Sequence, residues 1–200
     1  MVYIIGLGPG HKDYILPIAD KTMENSDIVV GFGRAIKSID HIKTPKLEFK
    51  SIVSIVDYIS ENKDKNISII ASGDPGFYGI TEYIKKNYDS EIKVIPGISS
   101  FQYFMSKLNQ SWHNVHLGSM HGREEDFLGN ISKYSQVIFL TDNKNSPSEL
   151  CRILYENNIN CKVYVGENLS YEDEVISFGS PEELMKYNFG KLAVMYIKLK

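Results

Sequence analysis

Apolar residues along this chain keep two alternating rhythms. Short runs rich in β-branched residues occur at residues 2–5, 28–30, 67–71 and 92–95. Short β-rich runs of this kind suit strands buried in a parallel sheet. Between them the apolar positions fall at helical spacing. Ile52, Ile55, Val56 and Ile59 sit at i, i+3, i+4 and i+7, and Ile80, Tyr83, Ile84 and Tyr88 form a similar stripe. The alternation predicts βαβαβ, an open and mostly parallel sheet with helices packed against it.

A second set begins after Gln110-Ser-Trp-His-Asn114, with strands predicted at residues 115–117, 137–140, 163–165, 175–178 and 193–197. Two helix starts are marked by a Ser N-cap, Pro at the first position and Glu at the third: Ser146-Pro147-Ser148-Glu149 and Ser180-Pro181-Glu182-Glu183. Little helix separates the strands at 163–165 and 175–178, so the last three strands should pair antiparallel in a mixed sheet. The fold class is α/β, in two α/β lobes. Residues 1–110 form an N-terminal lobe and 111–200 a C-terminal one, with a cleft expected between them as the usual place for a small-molecule site.

Three loops with glycines follow strands of the first lobe. They are Gly6-Leu-Gly-Pro-Gly10, Ala71-Ser-Gly-Asp-Pro-Gly-Phe-Tyr-Gly79 and Ile95-Pro-Gly-Ile-Ser-Ser-Phe101. Any one could be only a tight turn. All three leave the carboxyl ends of parallel strands, so they should converge on the edge where such sheets bind ligands. Glycine admits close backbone approach, and Asp74 is a candidate acceptor for ribose hydroxyls. The dinucleotide fingerprint is broken: its third glycine would stand at position 11, which is His, and the strand at 28–30 runs into Gly31 where an acidic residue is needed.

Composition narrows the chemistry. A net charge of −3 leaves no basic footprint for nucleic acid. No apolar run approaches the roughly 18 residues needed to span a bilayer, and no basic n-region marks a secretory signal. Cys151 and Cys161 follow no metal or redox spacing and read as ordinary thiols of a reducing cytoplasm. The chain holds nineteen lysines but three arginines. Arg34 and Arg123 follow predicted strand ends, where a guanidinium can fork onto a carboxylate or form a structural ion pair. Arg152, inside a predicted helix, reads as surface. His113, His116 and His121 fit no common zinc pattern, and alternation along a strand would separate the first two, so no metal site is expected. His121 beside Arg123 reads as lining the site. Of Phe77, Tyr78, Phe101, Tyr103 and Phe104, most should be core, with some available for stacking.

The three loops, in this order and spacing, resemble those of the tetrapyrrole (corrin/porphyrin) methyltransferases, the class III methyltransferases that use S-adenosylmethionine. The likeness continues through Ile15-Leu-Pro-Ile-Ala19 and Asp27-Ile-Val-Val-Gly31, and covers nearly the whole chain. Ser119-Met-His-Gly-Arg123, Leu140-Thr-Asp142 and Gly166-Glu-Asn-Leu-Ser-Tyr-Glu-Asp-Glu174 look most like the branch that methylates C5 of cobalt-precorrin-7 in vitamin B12 synthesis. One departure is His11, where many relatives carry Asp. The resemblance implies an S-adenosylmethionine site of Pro9, Ser72, Gly73, Asp74, Phe77, Ser99, Ser100, Leu140 and Leu169. It implies a corrinoid held by Arg34, His121 and Arg123, a cytoplasmic homodimer, and a C15-methyltransferase/decarboxylase as a partner. Methyl transfer from a sulfonium needs alignment more than acid–base help, and no residue is assigned a catalytic role. Two alternatives stay open: a methyltransferase of the same fold with another acceptor, and a non-catalytic S-adenosylmethionine-binding module.

Overall fold

The computed structural model describes residues 1–123 and 125–200, which divide into two compact units, Met1–Ser99 and Ser100–Lys200. In the first unit β1 (Val2–Gly6), β2 (Ile28–Phe32), β3 (Lys46–Phe49), β4 (Ile67–Ala71) and β5 (Ile92–Ile95) form a parallel sheet in the order β3-β2-β4-β1-β5. Side chains alternate across it. Val2, Ile4, Val30 and Ile69 enter one core with Ile55, Val56 and Ile59 of α3 (Ile52–Glu61) and Ile84 of α4 (Thr81–Asn87). Ile5, Val29 and Ile70 enter a second core with Ala19 and Met23 of α1 (Pro17–Glu24), and with Ile39 and Ile42 beyond α2 (Gly33–Lys37). Helices therefore cover both faces, as all-parallel sheets require.

The order of strands sets where a ligand can bind. β1 and β4 are neighbours, yet α1 follows β1 onto one face and α4 follows β4 onto the other. Their connections part at the carboxyl edge, which is the topological switch point of this sheet. Two local differences from the sequence reading have simple causes. Strand β3 was not predicted, because an edge strand needs few apolar residues, and here Leu47 and Glu48 are both exposed. Helical spacing predicts Tyr83 on the buried stripe of α4, but it is exposed, while Ile84 and Tyr88 carry the packing.

The second unit holds α5 (Ser100–Lys107), β6 (His116–Ser119), α6 (Phe127–Lys133), β7 (Gln136–Leu140), α7 (Pro147–Glu156), β8 (Cys161–Glu167), β9 (Val175–Gly179), α8 (Pro181–Leu184) and β10 (Ala193–Leu199). Its sheet runs β6-β7-β10-β8-β9, with β6 and β7 parallel and the other pairs antiparallel. The mixed sheet is the one expected. Val163, Val165, Met195 and Ile197 pack with Ile131, Leu150 and Leu154 in one core. The units part at Ser99/Ser100, ahead of the 110/111 position read from the sequence. Helix α5 explains the difference: Phe101, Tyr103 and Phe104 are buried, and Phe104 lies so close to Gly166 that a Cβ there would sit 2.8 Å from its ring.

Cys151 and Cys161 are buried in this core as free thiols. Burial pushes their thiols up to about 12 and about 11, so they stay protonated and unreactive. Among the described residues no helix is long and apolar enough to cross a membrane.

Both marked helix starts are formed. Ser146 Oγ accepts from Glu149 N at 3.3 Å with Pro147 at the first position, and Ser180 with Glu183 closes a capping box. We expect Ser146→Ala to cost about 1 kcal/mol, and Ser146→Gly only a few tenths. Urea midpoints at unchanged m-value would check this, and equal losses for Ala and Gly would contradict a capping role.

Candidate functional site

At the carboxyl edge of the first sheet, the loops after β1, β4 and β5 touch through backbone. Gly8 N donates to Gly73 O at 3.2 Å and Gly73 N returns a bond to Gly8 O at 2.8 Å. A Cβ on Gly6 would lie 2.6 Å from Gly97 N and 2.7 Å from Gly73 O, and a Cβ on Gly97 only 2.2 Å from Gly73 O. No real Cβ tolerates such distances. The glycines at 6 and 97 therefore serve the mutual packing of the loops. Gly8 adds a turn at φ +81 whose Cβ would meet Tyr14 O at 2.8 Å. His11, the residue that breaks the dinucleotide pattern, accepts from Asp13 N at 3.3 Å and caps the 3-10 turn Lys12–Tyr14.

Gly73 is different. Its φ is +67, and the nearest atom to a Cβ there is Ser99 Cα at 3.8 Å. Open space on that side leaves the loop free to approach a ligand. Around it stand Ser72, exposed, Pro9 and Ser99, buried, and Phe77, half-buried with its ring edge-on to Tyr78 at 5.0 Å. Asp74 is committed further than the sequence revealed. Its Oδ1 accepts from Gly76 N at 2.7 Å and its Oδ2 from Gly97 N at 3.1 Å, so the carboxylate clips the second loop to the third. Each oxygen retains a lone pair for a ligand. Arg34 is exposed just after β2, at the same carboxyl edge. Phe101, Tyr103 and Phe104 are core, which leaves Phe77 and Tyr78 as the aromatics of the loops.

The second unit has its own loop cluster. Register places Ser119, Leu140, Val194 and Gly166 in one row across β6, β7, β10 and β8. The loops after β6, β7 and β8 therefore leave one end of the sheet. Every expected site residue of this unit beyond Ser100 lies there: His121 and Arg123 after β6, Leu140 ending β7, and Leu169 after β8.

Hydrogen bonds fasten the first two of these loops together. Asp142 Oδ1 accepts from Lys144 N and Asn145 N at 2.9 and 2.7 Å, and Oδ2 from Gly122 N at 2.8 Å. The N–H groups of Asn145 and Gly122 hold the Asp142 carboxyl below its ordinary range, with a further lowering from His121. His121 Nδ1 lies 3.0 Å from Thr141 O. His113, in the turn ahead of β6, bonds Ser111 Oγ, and His116 stacks on Tyr134 at 4.2 Å. Arg152 is exposed and pairs with Glu149.

The loop after β8 depends on a residue that sequence reasoning did not single out. Asn168 and Ser170 have φ of +47 and +71, uncommon for side chains with a Cβ, and between them Leu169 is buried. Glu174 holds this shape: Oε2 accepts from Ser170 N at 2.7 Å and Oε1 pairs with Lys107 Nζ at 3.0 Å. Burial alone would raise the Glu174 carboxyl, but bonds from Tyr103, Ser170 N and Lys107 outweigh it and the net shift is downward. Only the Asn-x-Ser turn residues hinted at it in the sequence; Tyr103 and Lys107 lie on a distant helix. The turn signal Thr141-Asp-Asn-Lys-Asn145 is likewise a visible pointer to Asp142.

Two sheets of this topology, each gathering loops at one edge, define a fold seen before. The family model for Tetrapyrrole (Corrin/Porphyrin) Methylases matches residues 1–184, and the chain belongs to that family. A probable cobalt-precorrin-7 C(5)-methyltransferase of Methanocaldococcus jannaschii is 38% identical over 97% of this chain and 96% of its own length. The cobalt-precorrin-7 C(5)-methyltransferase of Salmonella typhimurium is 29% identical over 88% and 89%. Uroporphyrin-III C-methyl transferase from Thermus thermophilus, solved with S-adenosylhomocysteine, superimposes with a TM-score of 0.81 at 15% identity, covering 98% of this chain and 91% of its own.

Two outcomes follow from this geometry. Asp74→Asn puts an amide NH₂ opposite either Gly76 N or Gly97 N, so one charge-assisted bond is lost. We expect a loss of stability of about 1–3 kcal/mol, read by melting temperature; a mutant of parent stability would remove the clip. For Glu174 the folded carboxyl lies below its ordinary 4.5. Its contribution is therefore whole above pH 4.5 and lost as pH falls through the folded value. The stability gap between the parent and Glu174→Gln should be widest above pH 4.5 and narrow on acidification. A gap independent of pH would contradict the assignment.

Proposed function

We infer that this protein transfers the methyl group of S-adenosylmethionine to C5 of cobalt-precorrin-7, a step of cobalamin biosynthesis. The observation that carries this is identity at 38% along nearly the full length of both chains with the probable enzyme of that reaction. The donor is already activated at its sulfonium, so the protein has to bind, align and exclude water. We assign the donor to Pro9, Ser72, Gly73, Asp74, Phe77 and Ser99 of the first unit and to Ser100, Leu140 and Leu169 of the second. The residues suit it. Gly73 leaves open the space a Cβ would fill, Asp74 keeps lone pairs for hydroxyl groups, and Phe77 offers a ring for adenine.

A precorrin carries several acetate and propionate carboxylates and needs cationic donors. Arg34 and Arg123, both exposed at loop mouths, suit that role, and His121 stands beside Arg123. This reading takes the working form to be a cytoplasmic homodimer that works alongside an enzyme methylating and decarboxylating at C15; both rest on the family resemblance.

The direct test is mass spectrometry of cobalt-precorrin-7 incubated with the protein and S-adenosylmethionine. One added methyl group is expected, formed at the rate of S-adenosylhomocysteine production. Binding without turnover would leave a sensor module. Arg123→Lys should weaken corrinoid binding roughly 10–100-fold, the equivalent of one charge-assisted fork, at unchanged S-adenosylhomocysteine affinity. Parent-like turnover in that variant would end the carboxylate-clamp assignment.

A further inference from the structure

The loop carrying His121 is pinned on both sides of that residue. Before it, Met120 O accepts from Asn145 Nδ2 at 3.0 Å; after it, Gly122 N donates to Asp142. The ring itself is tied at Nδ1 to Thr141 O. A carbonyl oxygen can only accept, so Nδ1 must carry the hydrogen and, in the neutral ring, Nε2 must carry the lone pair. Thr141 cannot drift, because it is buried and both its N and Oγ1 donate to Ala193 O, at 3.3 and 2.7 Å. Nε2 has no partner among the described residues, and the side chain is exposed at the end of the sheet where the loops gather. The result is an imidazole of fixed tautomer with a basic nitrogen presented outward.

Methyl transfer creates a need for such a group. When the S–CH₃ bond breaks, its electron pair stays on sulfur, and a ring electron pair forms the new C–CH₃ bond. The positive charge of the sulfonium is thereby left on the acceptor. It is discharged when the C–H bond at the methylated carbon breaks, its electrons returning to the ring and its proton leaving. We propose that Nε2 of His121 accepts this proton, with Thr141 O fixing the tautomer and the Asp142 carboxylate stabilising the imidazolium that forms. This rests on the methyl-transfer reading above. Other described charges on the two loops are Arg123, Glu125, Asp126 and Lys144. Glu125 is turned back to Ser119 N and Asp126 caps α6 through Gly129 N, which leaves Asp142 as the carboxylate that acts on the ring.

His121→Asn and His121→Ala separate this role from a structural one. An Asn amide can still donate to Thr141 O but offers no base. Single-turnover methylation of cobalt-precorrin-7 should slow by about 10²–10⁴-fold in both variants, the usual contribution of a positioned base. S-adenosylhomocysteine affinity and melting temperature should stay near those of the parent. Added imidazole should restore part of the rate of His121→Ala, rising with its free-base fraction. Parent-like rates in His121→Asn would show the tether alone to matter and overturn the proposal, as would an unslowed His121→Ala or one that imidazole does not rescue. A parent protein that binds S-adenosylhomocysteine but methylates nothing would overturn the methyl-transfer reading itself, and is seen before any variant is made.

Discussion

Three backbones meet at the carboxyl edge of the first sheet at distances that exclude side chains. Gly6 and Gly97 fit because neither has a Cβ, both lying against the Gly73 carbonyl, and the Asp74 carboxylate then binds the second loop to the third through Gly76 N and Gly97 N. This contact depends on β1 lying between β4 and β5, which brings the ends of these strands side by side. Everything assigned to the donor in the first unit hangs from it. The glycines are often read as room for a ligand; here two of them are room for each other, and Gly73 alone faces open space.

The second unit reaches a similar end by other means. Its loops are held apart from collapse and in register by carboxylates: Asp142 gathers three N–H groups between the loops after β6 and β7, and Glu174 stabilises the left-handed turn that buries Leu169. Fixed carboxylates of this kind lower the freedom of a loop before any ligand arrives, which is how preorganised sites limit the entropy cost of alignment. A reaction whose donor carries its own leaving group asks for little else. Discharging the proton left behind is the one chemical task that remains, and an imidazole tied at one nitrogen is equipped for it.

Much of this was legible in the primary structure. Runs such as Ile67–Ala71 announce a buried parallel strand because every residue is apolar or small, and the structure buries all five. The helix starts at Ser146 and Ser180 were readable because capping is chemistry between residues three apart. That three loops leave the same edge followed from strand direction, and their contact from the order of the strands. Where the reading went astray, the deciding partner was remote in sequence. Strand β3 exists because β2 offers it a ladder, and α5 belongs to the second unit because Phe104 packs beside Gly166.

Local sequence thus determined most of the elements, the class of fold and the family, since periodicity, capping and loop motifs are carried by neighbouring residues. Tertiary structure decided the duties of single side chains. Asp74 could be read as a ligand acceptor from its loop, but its bond to Gly97 spans 23 residues. Glu174, in the loop between β8 and β9, joins Lys107 at the end of α5, 67 residues earlier in the chain. The tautomer of His121 depends on a carbonyl 20 residues away. A hydrogen bond is made between groups a few ångströms apart, and no pattern along the chain records which distant group the fold will bring within that reach.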